Sequence, residues 1–110
     1  MRCKLTVLRT TLHEDLAAEY GVPELGPCPF MKVGDVFYTD YAKPDGFCDE
    51  AWKAIYQYVF ALANGANMDS SWYSGNWMNV EHKDVAICSC NDGLRPVIIK
   101  VERINEVSGE

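Results

Sequence analysis

Hydrophobic and polar positions alternate over Cys3-Lys4-Leu5-Thr6-Val7-Leu8-Arg9, which puts Cys3, Leu5 and Val7 on one face. A period of two is that of a half-buried strand. Thr11 and Glu14 then stand at capping-box spacing and predict a short helix over about 13–20, with Thr11 as its cap and Gly21 as its stop. The Pro- and Gly-rich stretch 22–29 predicts a loop. Val36-Phe37-Tyr38-Thr39 predicts a short strand, and residues 43–47 predict a turn.

At Asp49 the period becomes helical. Trp52, Ile55, Tyr56, Val59, Phe60 and Ala63 recur at three- and four-residue spacing and form one apolar stripe on a helix over about 49–63. Asp49 and Glu50 suit the positive end of its dipole, and Gly65 marks its end. Residues 66–84 have no period. Trp72, Tyr73 and Trp77 lie there among small polar residues; they read as cover for the core, then as a subunit interface. Segments 85–90 and 95–104 are β-rich and flank Asp92-Gly93, a two-residue hairpin signal. Pairing about that turn sets Cys90 opposite Arg95 and Cys88 opposite Val97. It gives Ala86, Cys88, Val97, Ile99 and Val101 one face, and Ser89, Ile98, Lys100 and Glu102 the more solvated one. The predicted fold is α+β in a single domain, 1–110. It has a mainly antiparallel sheet of about four strands, one long amphipathic helix, one short helix and a C-terminal β-hairpin.

Composition narrows the partners. A chain of 110 residues with 48% hydrophobic content can bury a core without disulfide staples. A net charge of −6 repels phosphate backbones and anionic lipid surfaces, so nucleic-acid and membrane partners are not expected. The longest apolar run, 55–63, is too short to span a bilayer. The segment Met1-Arg2-Cys3-Lys4-Leu5 has no signal-peptide core, so a cytoplasmic, reducing location is expected. Five cysteines cannot all pair, and free thiols or metal thiolates are the expected states there. The aromatic surplus of so small a domain is compatible with a homo-oligomer.

The chemistry concentrates in three cysteines at element boundaries. Cys28 sits in Gly26-Pro27-Cys28-Pro29, where the two prolines restrict its backbone. Cys48 sits in Gly46-Phe47-Cys48-Asp49-Glu50-Ala51-Trp52, at the start of the long helix, where unpaired amides favour a thiolate. Cys90 opens Cys90-Asn91-Asp92-Gly93-Leu94-Arg95-Pro96-Val97, where the Arg95 guanidinium would favour a thiolate, or would instead bind an anionic ligand or pair with Asp92 and hold the turn. Packing alone is the competing reading for each, because free Cys is among the most buried residue types.

Taken together, these motifs resemble those of a family of short, uncharacterised prokaryotic cysteine-motif proteins. The similarity runs from Lys4 to about Ile104. The resemblance implies that Cys28, Cys48 and Cys90 act as one set; it implies no particular chemistry. Cys3 has no counterpart in the pattern and reads as core. Segment 67–83 departs from the pattern most.

No CxxC pair is present, so any site must be assembled by the fold from single cysteines. Soft thiolates select an iron–sulfur cluster, zinc or copper. The expected function is a small metal- or iron–sulfur-binding protein with Cys28, Cys48 and Cys90 as ligands, Arg95 as a neighbouring charge and Trp52 in the apolar shell. Cys88 is the natural fourth thiol, although burial statistics favour a structural role for it. Two alternatives remain. One is a thiol redox or nucleophilic enzyme acting through Cys90, with Cys28 or Cys48 as resolving thiol. The other is a non-catalytic binding or assembly module whose cysteines only pack. The two histidines, His13 and His82, are not placed by sequence beside any of these thiols. No phosphate loop, nucleophile elbow or zinc-protease motif is present.

Overall fold

The computed structural model describes residues 1–68 and 79–105. Alternation at the N-terminus produces strand β1, Arg2–Thr10, with Cys3, Leu5 and Val7 buried. It is followed by helix α1, Glu14–Tyr20; strand β2, Val36–Thr39; helix α2, Asp49–Ala63; a single 3-10 turn, Val80–His82; strand β3, Val85–Ser89; and strand β4, Val97–Ile104. The strands form one sheet in the order β2-β1-β4-β3, with every neighbouring pair antiparallel. The first and last strands therefore meet in the middle, from Arg2 opposite Ile104 to Thr10 opposite Val97, with a bulge between Val7 and Arg9. The fold is α+β, as the pattern predicts. Trp72, Tyr73 and Trp77 lie outside the described residues.

Helix α2 lies on one face of the sheet and buries Ile55 and Val59 of the predicted stripe, but the stripe is rotated from the predicted one. Ala51, Ile55, Val59 and Leu62 face the core. Each buried branched aliphatic side chain contributes about 1.5–3 kcal/mol. Tyr56 and Phe60 are 39% and 49% exposed. With Trp52 they form a ladder of rings along the helix flank, at centroid distances of 5.6 Å and 6.0 Å. The aliphatic row takes the core, and the tilted rings pair with one another at the margin.

One predicted cap also differs. The N-cap of α1 is His13, with no side-chain hydrogen bond, while the Thr11 hydroxyl donates to the Pro96 carbonyl. Gly21 does end α1, at φ −88°, so positive φ is not the reason for glycine there. A Cβ at Gly21 would come within 2.8 Å of the Ala17 carbonyl oxygen. At the end of α2 the predicted glycine acts as expected. Gly65 takes φ +93°, its amide donates to Leu62, and the Ala66 amide donates to Ala61 in a Schellman arrangement.

A tertiary contact completes that end. Arg103 of β4 donates to the carbonyls of Leu62 and Ala66 and to Asn67 Oδ1. The last turn of α2 holds no basic residue of its own, so a cation from the sheet supplies the charge that the helix dipole favours. Arg103→Ala is expected to lower unfolding stability by about 1–2 kcal/mol, measured by urea titration. Arg103→Lys recovers part of the loss, because a point charge replaces a fork that reaches several oxygens.

The C-terminal strands pair in a different register from the predicted one. Cys88 opposes Ile99, Ser89 opposes Ile98, and the Cys90 amide donates to Val97. Cys90 therefore stands opposite Val97, not Arg95, and β4 begins at Val97 rather than Arg95. Asp92 is the cause. Its Oδ1 accepts the amides of Leu94 and Arg95, and its Oδ2 accepts Arg95 Nε at 2.8 Å. This side-chain-closed turn replaces the two-residue hairpin with a connection over 91–96. The shift in register is even, so the predicted faces survive: Ala86, Cys88, Val97, Ile99 and Val101 are all buried.

Candidate thiol cavity

Cys28, Cys48 and Cys90 line one cavity of about 320 Å³. They reach it from three different segments. Cys28 comes from the loop after α1, where Pro27 and Pro29 limit its backbone. Cys48 is the N-cap of α2, with φ −66° and ψ 130°, and its side chain makes no capping hydrogen bond. Gly46, at φ +80°, supplies the left-handed turn that brings the chain into the helix. Lys43 fixes that approach, donating to the Phe47 carbonyl at 2.9 Å and pairing with Asp49 at 3.0 Å.

Cys90 follows β3. Its sulfur accepts the Val97 amide at 3.3 Å, so a thiol takes the place of a carbonyl at the end of the ladder. The next residue ties this corner to α2, because Asn91 Nδ2 donates to the Glu50 carbonyl at 3.1 Å. One side-chain hydrogen bond thus joins the Cys90 corner to the first turn after Cys48. Met31, Ala51 and Val97 give the cavity apolar walls.

Arg95 lines the same cavity. Its guanidinium is raised from its ordinary value, first by the hydrogen bond to Asp92 and then by smaller attractions that include Cys28 and Cys90. This cation therefore stands near two of the three thiols. Partial burial alone would raise the Asp92 carboxyl, but hydrogen bonds from Arg95 and from two amides bring it below the usual value. Glu50, also at the cavity, is lowered chiefly by its hydrogen bond with Lys53. Both acids at the cavity are thus engaged by cations or amides.

The protein-family models, curated proteins and solved structures searched include none that this chain matches. The reading of the cavity therefore rests on its own residues. Among the described residues, no group of three or more His, Cys, Asp or Glu side chains is arranged to hold a metal ion.

The other sequence candidates fall elsewhere. Trp52 does not line the cavity. It meets Phe47 edge-on at 6.1 Å, and its amide donates to the Cys48 carbonyl at 2.9 Å. Cys88 is buried against α2 and is also absent from the lining. Burial pushes its thiol up to about 12. Cys3 is a core residue whose thiol donates to the Val59 carbonyl, and burial pushes it up to about 11. Neither His13 nor His82 lines the cavity. Sequence reasoning missed Asn91 and Met31. Asn91 is adjacent to Cys90 within its motif, and that adjacency was the only available signal.

Proposed function

We propose that this cavity is a thiolate site for a soft, polynuclear metal centre, an iron–sulfur cluster held by Cys28, Cys48 and Cys90. The observation that carries the reading is that three cysteines from three separate segments line one cavity of about 320 Å³. The donor set fits: sulfur ligands select clusters and other soft metals. Zinc and copper take the same soft donors, so metal analysis decides which is bound.

The surroundings suit such a group. Arg95 offsets the negative charge of thiolates, and the Val97 amide donates to the Cys90 sulfur. Charge and N–H···S hydrogen bonds are the levers by which a protein tunes such a centre. When bound, the group would supply electron transfer or a Lewis-acidic iron, since three thiolates leave one position open. Cys28, Cys48 and Cys90 would hold it, Met31, Ala51 and Val97 would keep water from its apolar side, and Arg95 would offset its charge.

The test is iron and sulfide content, with a visible spectrum, on protein purified without oxygen. Stoichiometric iron and sulfide are expected. Cys28→Ser, Cys48→Ser and Cys90→Ser are each expected to lose more than half of that content, while Cys3→Ala and Cys88→Ala keep it. Metal-free wild-type protein, or metal content indifferent to all three serine variants, would sink the proposal.

A second reading has its own observation. The Cys90 sulfur accepts an amide hydrogen bond, and Arg95 lies near both Cys90 and Cys28. That setting suits thiol–disulfide exchange or nucleophilic attack through Cys90, with Cys28 or Cys48 as resolving thiol. One thiol alkylating much faster than the others in metal-free protein favours this reading.

A further inference from the structure

We propose that the cavity selects small anionic ligands, carrying a carboxylate or a comparable oxyanion, and that Arg95 is the residue that recognises them. The inference names the ligand class of the site proposed above. It rests on the cavity being the functional site, but not on any metal being bound there.

Three observations support it. First, Arg95 lines the cavity together with Cys28 and Cys90. Second, only Nε is used in holding the side chain in place. Asp92 takes Nε at 2.8 Å and is itself pinned by the amides of Leu94 and Arg95. The terminal amino groups hydrogen-bond no other described residue. A guanidinium anchored through one nitrogen presents the fork geometry that matches a carboxylate. Third, Asp92 engages Arg95 through Nε alone, and the other acid at the cavity, Glu50, is not its partner. Asp92 already accepts three hydrogen bonds, and Glu50 pairs with Lys53 at 2.9 Å. At about 320 Å³ the cavity lies at the small end of the usual range for ligand pockets, which suits a small organic anion.

The whole chain works against such a ligand. A net charge of −6 repels anions from most of the surface. Preference for an anion at these thiols is therefore a local property, and it can be read against the global field.

Two alkylating reagents of nearly equal size and the same chemistry provide the test. Iodoacetate carries a carboxylate and iodoacetamide does not. In each case the ionised sulfur displaces iodide and forms a carbon–sulfur bond. The rate at each cysteine is followed by peptide mass analysis on the full-length chain, as isolated and after treatment with a chelator. The ratio of the two rates cancels any change in thiol ionisation, so it reports recognition of the carboxylate alone. At Cys28 and Cys90 the ratio is expected to exceed that of the urea-unfolded chain by about tenfold, the scale of one added charge-assisted contact. Arg95→Gln is expected to abolish the excess and Arg95→Lys to keep part of it. If Arg95→Gln does not fold, the comparison of native with unfolded wild-type protein still decides. A native ratio equal to or below the unfolded one, or a native excess that survives in folded Arg95→Gln, overturns the proposal. Iron and sulfide are measured on the same preparations, so a metal-free protein with a high ratio removes the cluster while leaving the anion site standing.

Discussion

Phe47→Ala is expected to cost about 3–5 kcal/mol of unfolding stability, the scale of a buried aromatic removed from a core. Phe47 is almost fully buried and joins three parts of the fold. Its ring meets Phe37 of β2 edge-on at 5.0 Å and Trp52 of α2 at 6.1 Å. Aromatic pairs of this kind add about 0.5–1.5 kcal/mol beyond the burial of area. The ring is also the anchor that seats the start of α2 against the sheet, immediately before Cys48. Alanine there leaves a cavity and frees the N-cap. The loss therefore reaches the site: alkylation of Cys48 is expected to change more than that of Cys28, which belongs to a different segment of the chain. Urea titration measures the first effect and cysteine-resolved alkylation the second. Phe47→Leu keeps most of the volume and is expected to lose clearly less stability. A Phe47→Ala loss under about 1 kcal/mol would show that the ring is not the anchor, since core aromatic truncations fall well above that.

The second large effect is alkaline and belongs to the two core thiols. Burial holds Cys3 at about 11 and Cys88 at about 12, against an ordinary value of 9.0. The folded state therefore keeps both protons where the unfolded state releases them. Their contribution to stability is fully present below pH 9, and it is lost as pH rises through 11 and 12. A thiol pKa raised by one pH unit on folding corresponds to about 1.4 kcal/mol, so the combined loss reaches several kcal/mol at the top of that window. Unfolding curves measured from pH 8 to 11 are expected to move steadily to lower urea. Cys88→Ala is expected to flatten the slope, because it removes the thiol that burial raises further. The same burial predicts slow alkylation: Cys3 and Cys88 react only when the protein opens, whereas Cys28, Cys48 and Cys90 are half-buried and react from the native state. A stability curve flat between pH 9 and 11, or five cysteines reacting at one rate, would contradict the assignment of Cys3 and Cys88 to the core.

Much of this was legible in the chain because it is local. Cys3, Leu5 and Val7 alternate, and a strand has only two faces, so one of them had to be the core side. The helix over 49–63 was legible for the same reason: period, acidic first turn and terminal Gly65 all point to the same limits. The hairpin register was not legible. Asp92-Gly93 carries a tight-turn signal, and the competing use of the Asp92 side chain depends on where Arg95 can fold back. The α2 stripe was misread because a helical period marks a broad apolar arc. Only the opposing sheet decides whether Ala51 and Leu62 or Tyr56 and Phe60 occupy its centre.

By itself the sequence determined which residues form strands and helices, which strand faces are apolar, and that Cys28, Cys48 and Cys90 sit at boundaries while Cys3 sits in a strand. Tertiary structure alone decided that those three thiols share a cavity, that Arg95 and Asp92 stand beside it, and that Cys88 and Trp52 do not line it. The physical reason is range. Periodicity and turn chemistry act over a few residues, so they appear in any short window of the chain. Bringing a loop after α1, the cap of α2 and the end of β3 to one place depends on the order β2-β1-β4-β3 and on α2 crossing the sheet. That arrangement is set by burying all the apolar faces at once, and no single segment contains it.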